Sequence, residues 1–360
     1  MVGIRELTLV QFRNYIQKHF EFTHRIIGIV GSNGTGKTNV LDALYYLSFT
    51  KSYFNRPDAQ NIHHAHVGMR IEGKYTFQNK QVPITCIMRE NFKKEFYFDE
   101  VMYTKLSQHI GKIPCVMIAP DDVQIITGTS EDRRRLLDSV LSQIYTDYLK
   151  FLIQYNKILQ QRNTLLKQAA ELGSMDSLLL ETFNKQLIDN GVPIYNYRKE
   201  LLEELIPEIL NLYNHLSKNN DTIQISYDSA LHTHSFKELL EDNFAKDTLL
   251  QRTTVGIHKD DLNITIQGQS FKQEASQGQR KSLLFAIRLA EWDCIKKYKG
   301  FSPILLMDDI FEKLDEQRMI QLLDWVSHHT DGQVFITDTH KDRMNNLLGN
   351  HLSDYQLIEL

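Results

Sequence analysis

The segment Gly31-Ser32-Asn33-Gly34-Thr35-Gly36-Lys37-Thr38 constrains the fold more than any other part of this 360-residue chain. It fits GxxxxGK[ST], a pattern that functions between a strand and a helix. Arg25-Ile26-Ile27-Gly28-Ile29-Val30 reads as the strand, and residues 39–49 place Val40, Leu41, Leu44 and Leu47 on one helical face. The glycines let consecutive backbone N–H groups turn inward around a phosphate, and the helix adds its positive N-terminus. Lys37 then reaches the β and γ phosphates, and the Thr38 hydroxyl ligates Mg²⁺.

Such a loop needs a carboxylate at the end of another buried strand. Ile304-Leu305-Leu306-Met307-Asp308-Asp309 supplies four apolar residues followed by two acids. Paired acids after a strand are also ordinary turn chemistry, but beside a phosphate loop they take on defined work. Asp308 is the expected Mg²⁺ ligand, through its water shell, and Asp309 the residue that orients an attacking water.

A third element sets the class. Ser276-Gln277-Gly278-Gln279 precedes a helix whose apolar face is Leu283, Leu284, Ile287 and Ala290. A serine hydroxyl and a glycine N–H at a helix start form a second anion site, where the bland alternative is a plain serine N-cap. One chain seldom needs two such sites for one nucleotide, whereas two facing copies do. Each signature helix would then cap the γ-phosphate held by the other copy, with Glu312-Lys313-Leu314-Asp315 at their interface. Gln333 to Thr337 reads as a further strand, leaving Thr337, Thr339 and His340 as alternative sensors of the γ-phosphate. A guanine-reading NKxD would need an acid at Leu187 after Asn184-Lys185, so ATP is the expected nucleotide.

The chain opens with a strand at residues 4–10, and residues 66–118 look β-rich, with short strands at 85–88, 95–98 and 115–118. From about Ser130 to Lys218 it becomes helical and polar. One amphipathic helix is marked by Leu136, Leu137, Val140, Leu141 and Ile144, and a longer one by residues 148–167. Gly191-Val192-Pro193 is expected to separate the next pair of helices. Net charge is −4, from 41 Lys+Arg against 45 Asp+Glu, so nucleic acid would have to bind a local basic surface. No apolar run approaches the roughly 18 residues of a membrane span, and the N-terminus lacks a secretory signal. Three separated cysteines suit a reducing cytosol. His63-His64-Ala65-His66 has no nearby acid or cysteine to complete a metal set and reads as a solvated loop.

Taken together, these segments resemble the RecF family, whose ATPase heads are related to those of SMC and ABC-type proteins. Phe12-Arg13-Asn14-Tyr15 looks like the family's FRNY. Ala119-Pro120-Asp121-Asp122, Gly128 and Arg133-Arg134-Arg135-Leu136-Leu137-Asp138 resemble its APEDL and RRRFLD segments. Tyr155, Gln161-Arg162-Asn163 and Leu165-Leu166-Lys167 are similar to its arm helix. Thr254 to Leu262 corresponds to TxGPHRDDL, with Ile257 for proline and Lys259 for arginine, and Ser276 to Gln279 to SQGQ. The KSHR segment reads Lys51-Ser52-Tyr53-Phe54, so its arginine has no counterpart at Phe54, and Arg56 is the candidate replacement.

The resemblance implies an ABC-type α/β ATPase head, a P-loop NTPase with a β-rich N-terminal part, formed by residues 1–119 and 252–360. A helical arm spans 120–251. It implies a cytoplasmic, DNA-binding, weakly hydrolysing ATPase of gap repair and the DNA-damage (SOS) response, with ATP and Mg²⁺ as cofactors. An ATP-dependent homodimer would close on double-stranded DNA near single-strand gaps and work with RecR and RecO to load RecA. Arg13 either touches the nucleotide, as its equivalent does in related heads, or pairs with a sheet-edge acid. The arginine run 133–135 is either a salt-bridged helix face or faces DNA. Two alternatives stand beside this reading. One is an ATP-gated clamp with incidental hydrolysis. The other is the ATPase subunit of a nuclease system, for which the 45 residues after Asp315 are too few to add a nuclease domain.

Overall fold

The computed structural model describes residues 2–54, 56–77, 80–217, 221–312, 316–351 and 354–360, which divide into two compact units. Residues 313–315, part of the expected interface loop, lie outside the described residues.

The first unit comprises Met1–Val123, Asn211–Asn219 and Ser276–Leu360. Its centre is a five-stranded parallel sheet ordered Tyr355–Glu359, Ile26–Val30, Val334–Asp338, Ile304–Met307, Cys115–Ile118. The four strands other than Tyr355–Glu359 are buried at every position, as strands covered on both faces must be. Asp338 pairs with Val30 and Met307 with Ile336, so the carboxyl ends of three strands align. Their following loops therefore emerge along one edge, where open α/β sheets hold ligands.

A six-stranded antiparallel sheet runs Tyr15–Glu21, Gly3–Phe12, Met69–Phe77, Lys80–Met88, Lys94–Phe98, Val101–Met102. The helix Lys37–Phe49 packs between the two sheets. One core joins Ile4, Leu9, Ile71 and Ile84 to Val40, Leu44 and Leu47, and these to Ile27, Ile29, Cys115 and Leu306. The sequence predicts a single apolar face for this helix. Instead Tyr45, Tyr46, Ser48 and Phe49 are buried as well, because a sheet covers each side.

The second unit comprises Gln124–Leu210 and Asn220–Ala275. It carries the helices Ser130–Ile144 and Thr146–Leu172 and most of Ser177–Ser217, whose last turns from Asn211 belong to the first unit. A three-stranded antiparallel sheet is built from Gln269–Ser270, Asp261–Ile266 and Ile223–Asp228. The break expected at Gly191-Val192-Pro193 does not occur, for the helix runs through Pro193 and Pro207. A proline removes one intrahelical bond but need not end a helix held by packing. Gly191 serves that packing: a Cβ there would lie 2.6 Å from the Phe236 ring and 3.0 Å from that of Tyr155.

Several motif residues lock this unit from within. Arg162 and Asp247 form a fully buried ion pair at 2.7 Å, and Arg162 also donates to Thr253 at 2.8 Å. The Tyr155 hydroxyl meets His258 at 2.8 Å, and Arg198 holds the Ile257 carbonyl at 2.8 Å. The arginine run divides its work. Arg133 pairs with Asp261 at 2.7 Å, Arg134 donates to the Asp260 carbonyl at 2.7 Å, and Arg135 pairs with Glu131 one turn back.

Candidate functional site

At the carboxyl end of Ile26–Val30 the chain cannot continue as a strand, because Gly34 and Gly36 take φ of 86° and 109°. Only glycine adopts these values without strain. Gly36 is doubly constrained: a Cβ there would lie 2.6 Å from both the Asn14 amide nitrogen and the Tyr15 hydroxyl. The resulting loop, Gly31 to Gly36, leads into the helix with Ser32, Asn33 and Gly34 exposed. Lys37 is buried, and its ammonium donates back to the carbonyls of Gly31 at 2.8 Å and Ser32 at 3.2 Å. The cation thus stands inside the curve of the loop, where phosphate oxygens are its alternative acceptors.

Three strand ends supply the rest. The Thr38 hydroxyl donates to the Asp308 carboxylate, 3.0 and 2.9 Å from its two oxygens. From the neighbouring strand, the Thr337 hydroxyl donates to Asp308 Oδ1 at 2.9 Å and accepts from the Asp309 backbone N–H at 2.8 Å. Asp308 and Thr337 are buried, whereas Asp309 is half-buried. Burial pushes the Asp308 carboxyl up to about 6; the hydroxyls of Thr337 and Thr38 oppose this shift, and the adjacent Asp309 adds to it. Two adjacent carboxylates, one of them buried and held by two hydroxyls, fit a hard divalent cation such as Mg²⁺, although Lys37 already offsets part of their charge. Asp309 has φ of 43°, a left-handed value that costs a non-glycine residue on the order of 1 kcal/mol and is typical of functional positions.

His340 is exposed at the mouth of this edge, with its backbone N–H on Asp338 at 2.9 Å, and Thr339 is half-buried. Arg343 grips the same Asp338 carboxylate through Nε at 2.8 Å and Nη2 at 2.5 Å. Of the three residues proposed to sense phosphate, Thr337 is the one whose hydroxyl meets Asp308. The segment Ser276–Gln279 stands at the start of a separate helix, Gln277–Lys299. Gln279 N–H donates to the Ser276 hydroxyl at 3.2 Å and Ser276 N–H to the Gln279 side chain at 2.8 Å. This capping box leaves Ser276 and Gln277 exposed and Gly278 half-buried, so the segment is presented outward.

Arg13 lies in the turn between the first two strands, also with a left-handed φ, 52°. Its guanidinium pairs with Asp42, which lies on the phosphate-loop helix rather than at a sheet edge. It also donates to Asn39 at 2.8 Å, Ser52 at 3.0 Å and Asn61 at 3.2 Å. Asn39 in turn donates to Asn14 at 2.7 Å, and Asn14 to the Thr35 carbonyl at 3.0 Å. This support of the loop by Asn14, Asn39, Asp42 and Ser52 escaped sequence reasoning. Its only trace was the FRNY match and the polar residues Asn39 and Asp42 within an apolar helix. Among the described residues, no group of three or more His, Cys, Asp or Glu side chains is arranged to hold a metal, the histidines at 63, 64 and 66 included.

With this geometry established, similarity to known proteins is informative. The model of the RecF/RecN/SMC N terminal domain family matches residues 3–355. The DNA replication and repair protein RecF of Flavobacterium johnsoniae is 40% identical over 358 residues, covering 99% of each chain. That of Parabacteroides distasonis is 38% identical, covering 99% of this chain and 97% of its own. Among solved structures, the recombination mediator protein RecF with ATP, of the RecFOR pathway, superposes with a TM-score of 0.87. It is 26% identical and covers 94% of this chain and 92% of its own. The Smc head domain of Pyrococcus furiosus, at 15% identity and a TM-score of 0.56 over 96% of this chain and 92% of its own, shares the fold.

Proposed function

The chain belongs to the RecF family, and from that premise we propose that it is an ATP-binding protein of DNA replication and recombinational repair. The observation that carries this reading is the convergence of the Thr38 and Thr337 hydroxyls on Asp308 beside the glycine loop. In it, the amides of Gly31 to Thr38 wrap the phosphates and Lys37 exchanges its loop carbonyls for phosphate oxygens. Thr38 and Asp308 would hold Mg²⁺, which would supply positive charge to offset that of the phosphates. Asp309 orients the attacking water, with Thr337 fixing its backbone and His340 near the γ-phosphate.

The relative solved with ATP supports the choice of nucleotide, and the outward Ser276–Gln279 supports a two-copy site. In the full reading, ATP joins two copies through their signature segments. The pair closes on double-stranded DNA near a single-strand gap and acts in the cytoplasm with RecR and RecO to load RecA. Hydrolysis is slow, stimulated by DNA, and releases the clamp. Among the described residues, no helix is long and apolar enough to cross a membrane.

Equilibrium binding of a fluorescent ATP analogue with Mg²⁺ tests the site, with Lys37→Ala expected to weaken it more than about tenfold. Equal binding by the variant refutes the assignment. Hydrolysis measured with and without gapped duplex tests the DNA coupling. The strained backbone and short carboxylate of Asp309 favour one second reading, a clamp in which hydrolysis is incidental. Full gap repair by a Lys37→Arg variant without turnover would select it.

A further inference from the structure

Two buried polar clusters of the first unit meet at Tyr53. On one side, Arg288 of the signature helix donates to Glu291 at 2.8 Å, to Asp122 at 3.2 Å and to the Tyr53 hydroxyl at 2.5 Å. That hydroxyl donates onward to Asp122. On the other side, the Tyr53 backbone N–H donates to Asp42 at 2.8 Å, and Asp42 is the partner of Arg13. From Arg13 the bonds continue through Asn39 and Asn14 to the Thr35 carbonyl of the phosphate loop. An unbroken chain of hydrogen bonds and ion pairs thus joins the helix that begins at Ser276–Gln279 to the loop Gly31–Thr38 of the same chain. Asp42, Asp122, Arg288 and Glu291 are buried, so water cannot replace a bond that is lost there.

We propose that Tyr53 and Arg288 are positioning residues through which nucleotide in the loop sets the placement of Ser276–Gln279 in the same subunit. The inference rests on the ATP reading above and adds a regulation of the same site. When the loop amides wrap a phosphate, the Thr35 carbonyl moves with them. Asn14 and Asn39 pass that movement to Arg13. Asp42 holds both Arg13 and the Tyr53 backbone, and the Tyr53 hydroxyl is wedged between Arg288 and Asp122. Coupling between two sites is carried by contiguous networks of this kind when their members shift together. A loaded subunit therefore presents its signature segment in a different placement from an empty one, and engagement in pairs becomes selective for two loaded copies.

The test is amide hydrogen exchange on the full chain at saturating ADP, comparing wild type, Tyr53→Phe and Arg288→Lys. ADP lacks the γ-phosphate that a facing signature would grasp, so a response at 276–281 arises within one subunit. Wild type is expected to show slowed exchange at 31–38 and a change of about threefold or more at 276–281. Both variants are expected to keep the first response and lose the second, a loss that a merely structural role would not produce. If Tyr53→Phe does not fold, Arg288→Lys, which keeps the buried positive charge but not the fork that reaches the Tyr53 hydroxyl, decides alone. A wild-type signature segment indifferent to ADP, or variants that retain its response, overturns the proposal. No ADP response at 31–38 in wild type refutes the nucleotide site itself, a separate outcome.

Discussion

The hydroxyl of Thr38 stands 2.9 Å from a carboxylate oxygen of Asp308, a residue 270 positions later in the chain. Three strands, Ile26–Val30, Val334–Asp338 and Ile304–Met307, and the glycine loop after the first must be correctly registered for this bond to exist. It sets the distance between the phosphate loop and the acids, and hence where the proposed Mg²⁺ would sit.

Thr38→Ala removes the bond and the hydroxyl offered to the cation. Affinity for ATP in the presence of Mg²⁺ is expected to fall at least about tenfold, roughly 1.4 kcal/mol, while Thr38→Ser keeps most of it. Titration calorimetry with and without Mg²⁺ distinguishes the two, since binding without the cation should change less.

Asp309 is one methylene shorter than glutamate and held at a left-handed φ of 43°. Asp309→Asn is expected to lower the hydrolysis rate on the order of 10²-fold or more with little change in ATP affinity. Single-turnover measurements check this, and an unchanged rate removes Asp309 from the chemistry.

Arg13 and Asp42 form a buried ion pair beneath the loop, and removing one partner strands the other without a counter-charge. Arg13→Ala is expected to cost roughly 3–5 kcal/mol, lowering Tm by several degrees or more. In a double-mutant cycle with Asp42→Ala the two losses should not add, because both remove the same interaction.

His109 is fully buried in the first unit and its Nε2 donates to the Leu47 carbonyl at 2.6 Å. Burial depresses its pKa to about 4, outweighing the raising effect of that carbonyl. Well above pH 6.5 the ring is neutral in both folded and unfolded chains and pH has no leverage on it. As pH falls toward 4 the unfolded chain takes up a proton that the folded one does not, and stability drops by up to about 1.4 kcal/mol per pH unit. Urea midpoints at pH 7.5 and pH 5 should show the loss, reduced in His109→Gln. His258, also depressed to about 4 by burial, acts with the same sign in the second unit.

Much of the fold was legible because its signals are local. The strand Ile26–Val30, the glycine loop and the helix Lys37–Phe49 follow from apolar runs and turn chemistry within a few dozen residues. The strand Ile304–Met307 ends at its acids for the same reason. Burial of the helix on all sides was not legible, since it depends on a second sheet made by distant segments. Continuity of Ser177–Ser217 through Pro193 was missed because Gly191 looks like punctuation until Phe236 and Tyr155 are packed against it. The supports at Asn14, Asn39, Asp42 and Ser52 carry no motif of their own. They become meaningful only when a turn between strands, a helix and the segment after it are brought together.

In the proposed function, Gly31–Thr38 forms half of a nucleotide site completed by Ser276–Gln279 of a second copy. Sedimentation velocity of wild type and Ser276→Arg, with and without ATP and Mg²⁺, tests it most directly. Wild type is expected to shift from monomer to dimer on adding ATP and Mg²⁺, and Ser276→Arg to show no such shift although it still binds ATP. Dimerisation that survives Ser276→Arg undiminished, or a wild type that stays monomeric when saturated with ATP, would contradict it.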